Sequence, residues 1–353
     1  MSWFRRQQQG ETPGDNGDEP TDPAGNSEGG EQAAHAPVGN SDEVPKALAD
    51  FFLVFEEHLN EVEKEDMAEF VAQLKKPPTV LERISRGLDD PEELAETVMT
   101  NPALSADVLR IVNSAAFHLS SPISSVHHAV TYLGTNLVKG LVLQAAVGQM
   151  LALESPAQHT AYMRLWRASY VASAVAQALA KELDLPEPSE TATKALLANI
   201  GDLALISARP GLASLYGAHA TLFDRVSGQQ EALVGNAAIV GAILARSWNL
   251  PAAIEAHLRY AYVPMAWPPE RQGETELDIR EHVVVYLANR VGDAVTFGRS
   301  RQLEDFTIDR PDALEYFFLP AYLRAAALTD LPEQLTAQPT AKKLQQLIDR
   351  FGD

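Results

Sequence analysis

The sequence contains no cysteine among its 353 residues. Disulfide bonds, thiol nucleophiles and thiolate metal sites are therefore excluded. A chain that needs no disulfides suits a reducing compartment, so we expect a cytoplasmic protein.

Long uninterrupted apolar stretches are also missing. The opening residues Met1–Arg6 lack the apolar core of a secretory signal, and the most apolar later run, Leu137–Leu153, is interrupted by Lys139, Gln144 and Gln149. A membrane-spanning helix needs about 20 consecutive, mainly apolar residues. We expect no membrane span.

Basic residues are scarce relative to acidic ones. Lysine and arginine total 28, aspartate and glutamate total 48, and the formal net charge is -20. Affinity for nucleic acids depends largely on clustered basic residues that neutralise phosphates, and the basic runs here are pairs such as Arg5-Arg6 and Lys75-Lys76. We therefore expect no nucleic acid among the partners.

The first 44 residues have little apolar surface to bury. Between Gly10 and Glu43 the sequence is mainly Gly, Pro, Asn, Ser and acidic residues, with Val38 as its one large aliphatic residue. Burial of such a segment cannot offset the conformational entropy lost on ordering. The composition predicts a disordered, acidic, Gly/Pro-rich tail over residues 1–44.

From residue 45 onward, apolar residues recur at helical spacing. They follow three- and four-residue steps between Ala47 and Leu74. Asp90-Pro91 and Asn101-Pro102 each combine an N-cap residue with proline at the first helical position. Further helices are predicted at residues 135–153, 158–182, 191–208, 229–247, 252–262, 280–294, 310–328 and 341–351. Because long alternating strand patterns are missing, we predict an all-α, multi-helical bundle.

A set of motifs then follows in a distinctive order. They are Asn101–Leu104, Leu109–Phe117, Pro122–Val126, Ala129–Gly134, Leu165-Trp166, Ala195–Gly201 and Gly241–Pro251. This order resembles that of the HDOD family, the HD-related output domain, over about residues 78 to 292. The family usually shows Asp-Pro where this chain has Asn101-Pro102, and either side chain can cap a helix.

The family-signature positions are interpreted as mainly structural. They are Asn101, Pro102, Leu104, Asn113, Ser114 and Gly134. Asn and Ser at a helix end commonly hydrogen-bond nearby backbone groups, which explains Asn113-Ser114 without a ligand. A polar recognition site is the alternative interpretation of that pair.

The resemblance also implies where a metal site would lie. Catalytic HD proteins hold one or two metal ions with a histidine, a His-Asp pair, often further histidines, and a distal aspartate. The resemblance places Ala168 at the first histidine, Ala198 and Asn199 at the His-Asp pair, Asn236 at a later histidine and Asn289 at the distal aspartate. None of the nine histidines in the chain precedes an aspartate.

Alanine cannot coordinate a metal, and a neutral asparagine amide is a weak ligand. We therefore predict a chain with no catalytic residues, no bound metal and no cofactor. The five positions just named form a predicted vacated pocket, which is a candidate ligand-binding site. Sequence signatures of phosphate-binding loops and of the hydrolase nucleophile elbow are missing as well.

One tryptophan lies in a proline-rich loop. Trp267 falls within Pro264–Pro269, where prolines disfavour a continuous helix. We predict Trp267 as an exposed contact residue that could anchor a partner, with folding back over the core as the alternative.

The domain organisation and the function follow from the resemblance. We predict an HDOD-like module at residues 45–295, made of a helical lobe (45–157) and a degenerate HD-like lobe (158–295), and a C-terminal helical extension at residues 296–353. The resemblance implies a non-catalytic regulatory or adaptor protein of bacterial signal transduction. Its expected partners are signalling proteins such as response regulators or cyclic dinucleotide enzymes.

Two alternatives stay open. The first is a sensor that binds a nucleotide or second messenger in the vacated pocket. The second is a residual metal-dependent phosphohydrolase. The residues do not indicate an oligomeric state.

Overall fold

Helices make up the regular secondary structure of the computed structural model. It describes residues 44–72, 83, 90–113, 119–275, 277–298, 306–309, 313–336, 341–342 and 344–346, and these residues contain no strand. The helices are α1 Lys46–Ala49, α2 Glu61–Ala72, α3 Pro91–Met99, α4 Pro102–Val112, α5 Val126–Leu133, α6 Thr135–Met150, α7 Pro156–Glu182, α8 Pro188–Leu197, α9 Ile200–Ala208, α10 Leu222–Ala232, α11 Ala237–Ser247, α12 Ala252–Arg259, α13 Val263–Ala266, α14 Ile279–Thr296, α15 Leu319–Ala325 and α16 Leu331–Thr336. Short 3-10 segments lie at Glu56–His58, Pro210–Tyr216, Pro269–Thr275 and Leu314–Tyr316. The predicted all-α fold is confirmed.

The capping residues start the helices where the sequence predicts. The Asp90 carboxylate accepts hydrogen bonds from two backbone N–H groups of α3. The Asn101 side chain accepts one from Leu104 N at 3.1 Å, and Pro102 occupies the first turn of α4. Asn101 therefore caps the N-terminus of α4 as an aspartate would. Leu104 is fully buried.

Asn113, directly after α4, is hydrogen-bonded to the backbone of Ile123, which lies before α5. Its Nδ2 donates to Ile123 O at 2.7 Å, and Ile123 N donates to its Oδ1 at 2.7 Å. This pair of hydrogen bonds resembles one rung of a β-ladder, and it supports the structural interpretation of Asn113. Gly134 joins α5 to α6 with φ 85°, a conformation that favours glycine. Ser114 lies outside the described residues.

The lead-in segment differs from the single helix predicted over residues 47–74. α1 ends at Ala49, and Val54 lies outside any helix: its N–H donates to Gln230 Oε1, and its carbonyl accepts from Asn236 Nδ2. Phe55, the next residue, is in extended backbone. Side chains alternate in such a segment, so Leu53 and Phe55 are buried while Phe52 is 60% exposed. Hydrogen bonds of Val54 to distant side chains replace helical ones here, so the prediction was wrong for residues 50–60, whereas α2 confirms it over Glu61–Ala72.

Three other predicted helices are interrupted. The helix predicted at 191–208 is divided into α8 and α9 at Ala198-Asn199, and the one at 229–247 into α10 and α11 before Asn236. The helix predicted at 310–328 is replaced by a 3-10 turn and α15. The helical spacing of the apolar residues continues across each break, so the sequence pattern does not indicate where the helix is interrupted.

The centre of the fold is the contact among α7, α8 and α14. α14 is buried along most of its length, from His282 to Val295. α9, α11 and α12 pack in series beside these helices, and together the six helices position the candidate site.

Parts of the predicted C-terminal extension pack on α13 and α14. Tyr286 of α14 donates a hydrogen bond from its hydroxyl to Glu315 O at 2.5 Å.

Residues 44–353 form one compact unit. The predicted tail lies outside the described residues apart from Val44, and the predicted lobe boundaries stay predictions. Within the described ranges, no helix combines the length and the apolar character needed to cross a membrane.

Candidate functional site

A small cavity lies where α8, α9, α12 and α14 meet. Its lining residues are Ala198, Asn199, His257, Ala261, Tyr262, Tyr286, Asn289 and Arg290. Three of the five residues predicted for the vacated pocket are therefore brought together. The cavity volume of about 10 Å³ corresponds to room for about one water molecule.

Asn199 occupies the break between α8 and α9. Its side chain is buried, and its Nδ2 donates to Ser169 Oγ at 3.1 Å. Ser169, and not the predicted Ala168, is thus the α7 residue that contacts this position. Neighbouring side chains on a helix point about 100° apart, and the sequence motif alone does not determine which of the two faces the site.

Ala168 lies instead where α7 and α14 come closest. A Cβ atom added to Gly292 would be 2.4 Å from Ala168 O. The two helix backbones are therefore in direct contact at Ala168, which does not line the cavity. Close helix packing occupies the position where the resemblance places a pocket residue.

Asn236 is also outside the cavity lining. It is fully buried at the N-terminus of α11, where its Oδ1 accepts from Ala238 N at 3.0 Å. Its Nδ2 donates to Val54 O at 2.8 Å and Gln230 Oε1 at 3.0 Å. Asn236 caps a helix and anchors the lead-in segment, so its assignment to the pocket is corrected.

Asn289 projects from α14 into the cavity. Its Nδ2 donates to Val285 O at 2.9 Å. Its buried Oδ1 has no hydrogen-bond partner among the described residues. A buried amide oxygen beside a water-sized space fits a bound water better than a metal ion, because a neutral amide does not balance a divalent charge.

Two carboxylates near the cavity, those of Asp202 and Asp293, are engaged by other side chains. Asp202 accepts hydrogen bonds from Tyr216 at 2.9 Å, Gln229 at 3.0 Å and Tyr262 at 3.1 Å. Burial raises the pKa of Asp202, and the nearby Arg225 guanidinium partly offsets that rise. These hydrogen bonds hold the Asp202 carboxylate in the interior of the protein.

Asp293 is the second carboxylate. It is ion-paired with Arg225 and lies 3.1 Å from Nη1 of Arg290, and all three side chains are buried. Arg225 also lies over the ring of Phe297 at 4.6 Å. In the part of the chain that the model describes, no three His, Cys, Asp or Glu side chains are placed to hold a metal ion together. The described residues around the cavity therefore do not offer the imidazole and carboxylate ligand set of an HD metal centre.

Two buried histidines lie beside the cavity. His257 lines it, and its ring centroid is 5.6 Å from that of His282 on α14. Burial lowers the pKa of both side chains, that of His282 to about 4, and the proximity of His282 and Lys194 adds to the effect on His257. The local sequence does not distinguish His257, because tertiary burial leaves no local signature.

We expect the two histidines to make stability depend on pH. Below the usual histidine pKa of about 6.5, the unfolded chain binds protons that the folded chain does not. The free energy of unfolding should therefore fall as pH is lowered from 6.5 toward 4, by up to about 3 kcal/mol for His282, and this contribution should be constant above 6.5.

Urea unfolding of the wild type and of His282→Leu at pH 7 and pH 5 tests this expectation. The wild type should lose more stability between the two pH values than the variant does. His127→Gln changes an exposed histidine and should keep the wild-type difference. Equal pH dependence in the wild type and in His282→Leu would contradict the prediction.

Trp267 is not an exposed contact. It is half-buried, its ring centroid is 4.8 Å from that of Phe55, and the Arg271 guanidinium lies 3.5 Å from the ring centroid. The chain is extended at Trp267, directly after α13, which lets the indole fold back over the core. The alternative given for this residue is the one observed.

Comparison with known proteins agrees with the helical architecture. The family model of the HDOD domain matches residues 74–264. An HDOD domain protein with unknown function from Geobacter sulfurreducens has a TM-score of 0.54 at 17% identity, covering 81% of this chain and 99% of its own. A protein from Shewanella amazonensis SB2B, provisionally named a phosphohydrolase, has a TM-score of 0.53 at 20% identity, covering 81% and 97%. Identities this low show the fold alone.

Two further matches cover a smaller share of the matched protein. A protein from Marinobacter aquaeolei VT8, provisionally named a signal transduction protein, has a TM-score of 0.52 at 17% identity, covering 87% of this chain and 69% of its own. An uncharacterized protein from Treponema pallidum (strain Nichols) is 24% identical over 201 residues. That match spans 55% of this chain but only 38% of the relative.

Proposed function

Because this chain belongs to the HDOD domain family, we propose that it is a non-catalytic regulatory protein of signal transduction, which acts by binding other proteins. The observation that carries the proposal is the chemistry of the cavity. Ala198, Asn199 and Asn289 supply a methyl group and two neutral amides where the resemblance implies metal ligands. A water-activating metal needs imidazole and carboxylate ligands.

The engagement of the neighbouring carboxylates supports the same proposal. Asp293 balances two buried guanidinium groups, and Asp202 accepts three hydrogen bonds. Withdrawing either carboxylate to bind a metal would leave buried polar groups without partners, which is strongly unfavourable. Protein binding needs no such rearrangement.

The size of the cavity favours protein binding over nucleotide sensing. Pockets for small molecules usually measure about 300–1,000 Å³. The cavity here holds about one water molecule, so a nucleotide would require α12 and α14 to separate. That separation would disrupt the packing of His257 on His282.

Crosslinking the tagged full chain in its native cell, followed by quantitative mass spectrometry against a tag-only control, tests the proposal. We expect reproducible enrichment of signalling proteins, with response regulators and cyclic dinucleotide enzymes as the first classes to examine. If no protein is enriched under several growth conditions, the adaptor role is contradicted. A thermal shift with a nucleotide panel then becomes the next measurement.

A metal titration tests the lack of catalysis. Protein stripped with a chelator and then supplied with Mn²⁺, Fe²⁺, Mg²⁺ or Zn²⁺ is expected to show no phosphohydrolase activity and no stoichiometric metal binding, because the cavity offers neutral amides. Hydrolysis that appears with metal and disappears with chelator would contradict this expectation.

A further inference from the structure

Residues 51–55, which we call the strap, lie outside any helix and follow α1. Leu53 and Phe55 are each 2% exposed, whereas Phe52 is 60% exposed. Side chains that are buried two residues apart, with an exposed one before them, are typical of an extended peptide lying in a groove.

Aromatic residues from distant parts of the chain receive the side chains of the strap. The ring centroid of Phe51 is 5.0 Å from that of Phe223 on α10. The ring centroid of Phe55 is 5.9 Å from that of Tyr260, which follows α12, and 4.8 Å from that of Trp267, which follows α13. The strap therefore fills a surface that other elements form.

The backbone of the strap is hydrogen-bonded to two side-chain amides. Val54 N donates to Gln230 Oε1 at 3.0 Å, and Gln230 Nε2 donates to Phe52 O at 2.9 Å. Asn236 Nδ2 donates to Val54 O at 2.8 Å. Another peptide in the same conformation offers the same N–H and C=O groups. In peptide recognition by added strands, such main-chain bonds supply affinity, and pockets for alternate side chains supply specificity.

An ion pair lies at the end of the strap. Glu56, the next residue, pairs with Arg246 of α11, which also lies 3.2 Å from Glu255 of α12. An arginine in this place favours a peptide that carries an acidic residue directly after the buried aromatic one. We call the surface that receives the strap the strap groove, and its residues are Phe223, Gln230, Asn236, Arg246, Tyr260 and Trp267.

The strap groove does not depend on the strap for its own packing. α11 and α12 pack against each other, and α2, which follows the strap, packs against α11. A segment that is held mainly by side chains, near the N-terminal end of the compact unit, opens at a lower free energy than core helices do. The strap can therefore leave the groove while the helices that form the groove stay together.

We propose that the strap groove is a peptide-binding site for a partner protein and that the strap occupies it in cis until the partner displaces it. The partner segment is extended and has an aliphatic residue, any residue, an aromatic residue and an acidic residue in that order, as Leu53–Glu56 does. This inference rests on the protein-binding function proposed above and specifies the chemistry of the partner. Occupancy in cis lowers the apparent affinity for the partner by the fraction of molecules with an open groove.

Fluorescence anisotropy tests the site, with a labelled synthetic peptide of residues 45–60 titrated with the full chain. The wild-type chain should bind the peptide weakly, because its own strap competes at high effective concentration. Phe55→Ala in the chain should bind the peptide at least about tenfold tighter, because the competing strap loses its buried aromatic side chain while the groove is unchanged.

Two further chain variants make the result specific. Glu56→Lys places a like charge beside Arg246 and should strengthen peptide binding at least about threefold, because the Glu56 of the peptide can still form the ion pair. Since the exchanged side chain lies on the surface, this variant decides the question if Phe55→Ala does not fold. Phe52→Ala is the matched control, and peptide binding should stay within about twofold of the wild type because Phe52 is exposed. Circular dichroism verifies the fold of each variant.

Changes in the peptide test the recognition directly. A Val54→Pro peptide lacks the N–H that donates to Gln230, and a Phe55→Ala peptide lacks the aromatic anchor. Each should bind the opened chain variants at least about tenfold more weakly than the unchanged peptide. The proposal is overturned if neither opened variant gains affinity, if Phe52→Ala gains as much, or if the Val54→Pro peptide binds equally well. If the peptide fails while crosslinking still enriches signalling proteins, the adaptor role stands and the strap groove is not its site.

Discussion

Replacement of Asp293 by asparagine is expected to lower the free energy of unfolding by about 3–5 kcal/mol. The carboxylate balances the guanidinium groups of Arg225 and Arg290 in an interior where all three side chains are at most 4% exposed. Breaking a buried ion pair from one side leaves a desolvated charge without compensation. The asparagine amide keeps the shape of the side chain but removes the negative charge.

Urea unfolding at pH 7 measures the loss. The control is Asp107→Asn, which removes the partner of Arg110 in an ion pair where the arginine is 74% exposed. Water weakens the attraction within that ion pair, so the free energy of unfolding of the control should fall by at most about 1 kcal/mol. The double variant Arg225→Met/Asp293→Leu should recover part of the loss, because one of the two uncompensated guanidinium groups is removed as well. A loss in Asp293→Asn no larger than that of the control would refute the argument.

Replacement of Gly201 by alanine should destabilise the protein by about 3 kcal/mol or more, the upper end of the effect of overpacking. A Cβ atom at Gly201 would lie 1.9 Å from Ala237 O and 2.9 Å from Gly241 N. Both contacts are with backbone atoms, so α9 and α11 would have to separate. The intrinsic helix preference of alanine over glycine, about 1 kcal/mol, is too small to offset this strain.

Two glycines provide controls for Gly201→Ala. At the same crossing, a Cβ on Gly241 has its nearest neighbour at 3.6 Å, an ordinary van der Waals contact. A Cβ on Gly211 meets nothing within 4 Å. Thermal and urea unfolding should show both alanine variants within about 1 kcal/mol of the wild type, or slightly more stable. Similar losses in all three variants would mean that the helix crossing is not the cause.

The Gly201 contact also bears on the site. Asn199 lies two residues before Gly201, and Asn236 caps the helix that Gly201 touches. Separation of α9 from α11 would therefore displace Asn199 from Ser169. Loss of stability and loss of the cavity geometry are expected together.

Local chemistry was sufficient to predict much of the fold. Asp90 and Asn101 start helices in the structure as the sequence indicates, because a cap involves residues only two or three positions apart. The absence of strands among the described residues follows from the period of the apolar residues, which is also a local property. The lead-in segment was missed because the hydrogen-bond partners of Val54 lie more than 170 residues away.

The candidate site was only partly predictable. Of the positions that the resemblance assigned to one pocket, Ala198, Asn199 and Asn289 line the cavity; Ser169 was not among those positions, and the buried His257 was assigned no role. Asn236 and Trp267 lie elsewhere than predicted, since a helix break at Asn236 and extended backbone at Trp267 decide where their side chains point. A one-residue error on a helix is enough to exchange a cavity position for a packed one.

The sequence by itself determined the helical class of this protein, the positions of its capped helix starts and the absence of a His-Asp pair. These properties depend on residue type and short-range spacing. The tertiary structure decided which side chains share a cavity, which carboxylates balance buried arginines and which histidines lose their contact with water. Those properties depend on helix crossings between residues far apart in the chain, and packing at the crossings is set by contacts such as that of Gly201 with Ala237.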